Sequence, residues 1–266
     1  MCFSWRTGVI AAAVLMPLAC SVKEDRSQCP CYVCVDLTQL DAGRMVSEGC
    51  DSLVWSLSGE GFRKSGALRL DALPGSIEIE APREMVRLRV IASASGFCGL
   101  WDTLKVAKGQ EVPPLMFYSG SVDAVPSEGA EVVLGLHKRY VTLDLGCDLR
   151  DPFFEGVEMA VEGCFAGYSR SAGPLAGAFR CILAPDPRGR STVRLPPQAD
   201  GSLRLSLYRD GSLERSFALG EYILKSGYDW SKEDLEDIRM DLELHRSYAR
   251  LKIDQWERIL VFNIVI

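Results

Sequence analysis

Short runs in which apolar and polar residues alternate cover most of this chain. In MVRLRVIAS, Met85 to Ser93, the residues Val86, Leu88 and Val90 fall on one face, and Arg87 and Arg89 fall on the other. SIEIEAP repeats the pattern with Ile77 and Ile79, YVTLDLG with Val141, Leu143 and Leu145, and YVCVDL with Val33, Val35 and Leu37. Further on, Val193, Leu195, Leu203, Leu205 and Leu207 alternate around the turn signals Asp200-Gly201 and Asp210-Gly211. A period of two places successive side chains on opposite faces of a strand, and Asp-Gly favours a tight hairpin turn. Runs of this kind, separated by Gly, Pro and Asp, predict antiparallel β-sandwiches.

One stretch has a helical period instead. Leu219, Tyr222 and Ile223 share a face over Leu219 to Lys225, and Gly227 supplies the stop. Ser231, with Asp234 three places on, resembles a capping box. The polar, small-residue stretch from Ser121 through Pro126 onward is the best candidate for a domain boundary. At the carboxyl end, Ile259, Leu260, Val261, Phe262, Asn263, Ile264, Val265 and Ile266 contain one polar side chain. Such a strand has no wet face of its own. Either it is buried on both sides inside its own sheet, or another protein covers it.

The amino-terminal residues follow a different pattern. Arg6 is followed by an apolar run from Val9 to Ala19, shorter than the ~20 residues a membrane-spanning helix needs. A cationic start, a short apolar middle and small residues before a cut predict a secretory signal peptide over residues 1–19. Leu18-Ala19-Cys20 resembles the lipobox of bacterial lipoproteins, whose cysteine sulfur accepts a diacylglycerol. One acyl chain holds a protein to a membrane only marginally, whereas several together are effectively permanent. Lys23, Glu24 and Asp25 resemble the export signal that sends some lipoproteins to the outer face of the outer membrane. Residues 20–28 would then be a lipid-attached tether.

Composition narrows the function classes. With 47% hydrophobic residues in 266, the chain can build a substantial core. A net charge of -6 and the lack of a long Lys/Arg run argue against nucleic acid as a partner. Beyond Cys2 and Cys20, the cysteines are Cys29, Cys31, Cys34, Cys50, Cys98, Cys147, Cys164 and Cys181. Cys31 and Cys34 form a C-x-x-C, but it lies on a predicted strand, has no second pair, and the chain has two histidines, His137 and His245. A zinc site needs four ligands, and a redox motif needs a helix start, so neither reading is supported. An oxidising compartment permits disulfides, whose pairing cannot be read from the sequence. There is no G-x-S-x-G, no phosphate-cradling glycine loop and no H-E-x-x-H, so no catalytic residues, metal or cofactor are expected. His137, beside Lys138 and Arg139, and the pairs Glu233-Asp234 and Glu236-Asp237 read as solvated surface.

Several segments together resemble the FimB-type fimbrial anchor family, the membrane-attached subunits of type V fimbriae. They are CSVKEDRSQCPC (Cys20 to Cys31), VPPLMFYSGSVDA (Val112 to Ala124), LHKRYVTL (Leu136 to Leu143), FALGEYILKSGYDWSKEDLEDI (Phe217 to Ile238) and the apolar carboxyl end. The resemblance implies an all-β protein of two transthyretin-like antiparallel β-sandwich domains in tandem, residues 29–130 and 131–266, with one short helical segment in the second. It also implies a lipid on Cys20, outer-membrane localisation with exposure at the cell surface, and a fimbrial stalk subunit as partner. Subunits of such fibres join by β-strand exchange, in which one chain's strand completes another's sheet. Ile259 to Ile266 are compatible with donation and equally with closing their own domain. The alternative is a surface glycan-binding lipoprotein, for which Trp55, Trp101, Trp230 and Trp256 are the candidate sugar platform.

Overall fold

The computed structural model describes residues 31–94, 103–125, 129–147, 155–243, 248–253 and 256–260, with backbone alone from residue 243 onward. The signal sequence, Cys20, Lys23, Glu24, Asp25 and residues 261–266 lie outside the described residues. The first half of the chain forms β1 (Cys31–Asp36), α1 (Ala42–Ser47), β2 (Ser52–Gly59), β3 (Phe62–Arg69), β4 (Ser76–Ala81), β5 (Met85–Ser93), β6 (Thr103–Lys105), β7 (Leu115–Asp123) and β8 (Gly129–Val133). The second half forms β9 (His137–Lys138), β10 (Val141–Cys147), β11 (Val157–Ser169), β12 (Gly173–Ile182), β13 (Arg190–Leu195), β14 (Arg204–Arg209) and β15 (Ser212–Phe217). Then come α2 (Leu219–Lys225), β16 (Ile238–Glu243), β17 (Tyr248–Ile253) and β18 (Trp256–Leu260).

The alternating runs become the strands expected of them. The first sandwich packs a sheet ordered β4-β1-β8 against one ordered β3-β2-β5-β7-β9. Val33 and Val35 of β1 and Ile79 of β4 meet Leu53 and Leu57 of β2 and Leu88 and Val90 of β5, all buried. The second sandwich packs β12-β11-β14-β15 against β13-β10-β16-β17-β18. Its core joins Leu143 and Leu145 of β10 to Val161 of β11, Leu205 and Leu207 of β14, and Met240 of β16. Two pairings are parallel, β1 with β8 and β10 with β16. Parallel neighbours need long crossovers, so no turn signal announces them.

Local chemistry explains the punctuation. Asp210 and Gly211 have φ of 52° and 77° and join β14 to β15, as a primed hairpin turn requires. Helix α2 buries Leu219 and Ile223 and stops at Gly227, whose φ of 84° is a left-handed conformation that glycine enters without strain. Gly220 is needed for a different reason. A Cβ there would lie 2.7 Å from the backbone of Gly201, so only a bare backbone lets α2 seat against that turn.

Two local readings change. The structure adds α1, a second helix, in the first sandwich; it is capped by Asp41 and buries Met45, and at six residues is too short to show a periodic stripe. Ser231 and Asp234 do not form a capping box. The Ser231 N–H and hydroxyl donate to Asp229 Oδ1 at 2.8 and 2.6 Å, closing an Asx turn, and Asp234 is engaged elsewhere.

Candidate functional site

The two sandwiches are laced together, and the conspicuous chemistry of the described residues lies where they meet. Strand β6 pairs with β11 of the second sandwich, Thr103 opposite Ser169 and Lys105 opposite Gly167. The chain that follows bridges that sandwich's two sheets, the Gly109 N–H donating to Arg180 O and the Val112 N–H to Arg194 O. In return β9 pairs with β7, adding Lys138 opposite Met116 in the first sandwich. Between them Ile91, Leu104, Val112, Leu115 and Tyr140 form a small apolar cluster of their own.

Lys138 fastens this junction. Its side chain is 2% exposed, and Nζ donates to both Glu48 carboxylate oxygens at 3.1 Å and to Asp237 Oδ1 and Oδ2 at 2.9 and 2.8 Å. Glu48 caps the end of α1, whereas Asp237 precedes β16, so one ammonium holds the two sandwiches. The Tyr140 hydroxyl donates to Glu48 Oε2 at 2.7 Å. Burial, then the hydrogen bond to Glu48 and its charge, push that phenol well above the ordinary tyrosine range, so it stays a donor. Asp237 Oδ1 also accepts the Thr142 N–H at 2.7 Å.

The flanking residues repeat the arrangement. Asp234 accepts the Lys138 N–H at 2.8 Å and sits 3.1 Å from His137 Nδ1. Burial disfavours the Asp234 carboxylate, but these two partners outweigh it and hold the group below the ordinary aspartate range. Arg139 donates to Lys232 O at 3.0 Å, and its guanidinium lies 5.4 and 5.5 Å from the ring centroids of Phe117 and Tyr168, one ring from each sandwich. Asp234 and Asp237 are solvated as expected, at 58% and 47% exposed, yet both are engaged by the run His137 to Arg139, whose Lys138 is buried. The two runs lie nearly a hundred residues apart, and nothing within either indicates that they close on each other. Leu136 to Leu143 and Phe217 to Ile238, two of the segments carrying the family resemblance, are the ones that meet here.

The described cysteines do not assemble into chemistry. On β1 the C-x-x-C spacing puts Cys31 in the core and Cys34 on the outer face, as a two-residue period dictates, so the two thiols cannot meet. Cys31, Cys34, Cys50, Cys147, Cys164 and Cys181 are free thiols. Among the described residues no three His, Cys, Asp or Glu side chains converge as a metal site. Burial, aided by the charge of Glu48, pushes the Cys50 thiol up to about 11, and burial with Asp241 pushes Cys147 up to about 12. Since the thiolate is the reactive form, iodoacetamide at pH 8 is expected to label exposed Cys164 at least about 100-fold faster than Cys147. Mass mapping of the labelled peptides reads the rates; comparable labelling of Cys147 would contradict its placement.

The remaining sequence sites are scattered. Ile259 and Leu260 lie in β18, at the end of its sheet, paired with Arg250 and Ala249 of β17. Trp55 is half-buried and lies across Gly66, where a Cβ would come within 2.6 Å of the indole. Trp230 is buried, edge-on to Tyr228 at 4.8 Å. Trp101 lies outside the described residues, and of Trp256 the backbone alone is described. Trp55 and Trp230 thus pack in separate cores and form no shared platform.

No protein-family model matches the chain. No curated protein matches it with significance. Solved structures do. The fold is similar to that of a candidate polysaccharide-binding protein (DUF1812) from Bacteroides thetaiotaomicron, with a TM-score of 0.60 at 13% identity, covering 86% of this chain and 98% of the other. A candidate adhesin from Bacteroides ovatus is similar at 0.56 and 11% identity, over 87% of this chain and 96% of its own. A second candidate adhesin, from Bacteroides thetaiotaomicron, scores 0.51 at 12% identity, over 87% and 97%. At these identities the likeness is one of fold: the chain shares an all-β sandwich architecture with these structures over 86–87% of its length.

Proposed function

We propose that this chain is a non-catalytic, lipid-anchored subunit that holds a fimbria at the outer membrane, exposed at the cell surface. In this reading residues 1–19 are removed, Cys20 carries the acyl chains, and Lys23, Glu24 and Asp25 direct export. Residues 20–28 lead to two bodies, 29–130 and 131–266, and a fimbrial stalk subunit is the partner. The observation that carries the reading is the fold shared with candidate adhesins over 87% of the chain. The fimbrial assignment adds to it the resemblance at Cys20 to Cys31 and Phe217 to Ile238.

Strand exchange is the means of attachment in this reading. β18, which ends at Leu260, is the last strand of its sheet. An extended segment leaving an edge can add to a neighbouring subunit's sheet, with main-chain hydrogen bonds for adhesion and alternate side chains for selectivity. Val261 to Ile266 are the residues proposed to be donated, with Ile259 and Leu260 as their root.

The decisive test is Cys20→Ala in the native host. Labelling by a fatty-acid analogue should be abolished and the protein released from membranes; retained labelling would refute the anchor. A chain ending at Leu260, which keeps every pairing of β18, should recover less stalk subunit from intact cells than the full chain does. Equal recovery would remove the support for donation.

A further inference from the structure

The outer face of the sheet β3-β2-β5-β7 carries an ordered array that anchoring does not use. The strand register lines up three rows across it. In the first row Arg63, Ser58, Arg87 and Ser121 are neighbours; in the second, Ser65, Ser56, Arg89 and Ser119; in the third, Ala67, Val54, Ile91 and Phe117. Two rows of guanidinium and hydroxyl groups thus run beside one apolar row. Neither polar row contains a carboxylate, although the chain as a whole carries a net charge of -6. Arg63 and Arg87 are exposed and form no ion pair with a described carboxylate. Carboxylates bordering the array are Glu60, exposed in the turn between β2 and β3, Asp71, paired with Arg69 at 2.6 Å, and Asp123, opposite Met85 at the end of β7.

Where the rows reach β7 they open into a cleft of about 40 Å³ against the second sandwich. Arg89, Ile91, Phe117, Ser119, Tyr168 and Arg170 are among its lining. Arg170 donates to the Ser119 carbonyl oxygen at 2.9 Å, which brings a further guanidinium to the end of the second row. The Ser119 hydroxyl is buried and has no hydrogen-bond partner among the described residues. The opposite sheet of the same sandwich has the reverse character. By register, Asp36, Glu78, Glu80 and Glu131 all fall on its outer face. Acidic side chains thus gather on one outer face of this sandwich and arginines on the other.

We propose that this arginine-serine face binds an anionic oligosaccharide, with uronate carboxylates or sulfates as the charged groups. Three physical matches select that class. Guanidinium forks pair with planar or tetrahedral oxyanions through two hydrogen bonds at once. Neighbouring strands lie ~4.8 Å apart, about the length of a pyranose ring, so a sugar chain crossing the strands meets one row position per ring. Of the apolar row, Val54 and Ala67 give the C–H faces of the rings a dry border, while Ser58, Ser65 and Ser121 meet the hydroxyls; Ile91 and Ser56 lie buried beneath them. This proposal uses neither Cys20 nor β18, so the fimbrial reading can fail without it, and it without the fimbrial reading.

Isothermal titration of the full chain in non-ionic detergent with hexagalacturonate, and with maltohexaose as the neutral control, tests the proposal. Hexagalacturonate is expected to bind, more weakly as salt rises, and maltohexaose not to bind. The double variant Arg63→Ser/Arg87→Ser, altered only at exposed strand positions, should keep its melting temperature and bind about tenfold more weakly or worse. Absence of hexagalacturonate binding at low salt overturns the proposal. So does equal binding of maltohexaose, or binding indifferent to the double variant. If glycerophosphoglycerol, a soluble lipid headgroup, competes as well as hexagalacturonate, the face is a phosphate site and the sugar assignment is wrong.

Discussion

Replacing Lys138 with alanine is expected to cost about 3 kcal/mol of stability, because removing one partner of a buried ion pair leaves the others without their counter-charge. The ammonium is 2% exposed and serves Glu48 and Asp237 together, so its loss strands two carboxylates at once. Asp237 is 47% exposed and can rehydrate, which holds the cost to the lower part of the usual range. Part of the loss is packing, since Nζ sits 4.6 Å from the centre of the Tyr140 ring. Lys138→Met keeps most of the stem and removes only the charge, so comparing the two variants separates packing from electrostatics. Urea unfolding supplies the measurement. A cost under about 1 kcal/mol for Lys138→Ala would mean that the pair behaves as an exposed one.

Gly167→Ala is expected to destabilise by about 2 kcal/mol, within the usual range for overpacking. A methyl group at this position would run into the Leu104 carbonyl oxygen on the neighbouring strand. That carbonyl belongs to β6, which is held to β11 over three residue pairs, so relief means lifting β6 away. Leu104 is part of the apolar cluster between the sandwiches, and displacing it opens that cluster too. Amide hydrogen exchange should therefore quicken at Leu104 to Val106 while Leu205 and Leu207 in the second core stay protected. Uniform quickening would indicate general destabilisation, and unchanged exchange would mean that β6 is not seated as described.

Much of the fold could be read from periodicity, and the exceptions share a cause. Val33, Val35, Leu88, Val90, Leu143 and Leu145 alternate without interruption, so their strands and inward faces follow from local pattern alone. Helix α2 and its Gly227 stop are local in the same sense. β6 has three residues, too few for a period to register, and its partner lies more than sixty positions downstream. The Lys138 clasp joins residues 90 and 99 positions apart in sequence, and adjacent charges give no sign of such a partner. Charged runs look solvated until tertiary structure buries them. The arginine-serine rows were half visible: alternation places Arg87 and Arg89 on the outer face of β5, but only the register aligns them with Arg63 and the serines.

The placement of β1 has a mechanical consequence. β1 is the middle strand of its sheet, antiparallel to β4 from Cys31 to Asp36 and parallel to β8 from Tyr32 to Asp36. Tension arriving from the amino-terminal side acts along this strand, not across it. Both ladders of hydrogen bonds then bear the force in shear and must yield together, whereas a peripheral hairpin pulled sideways would unzip one bond at a time.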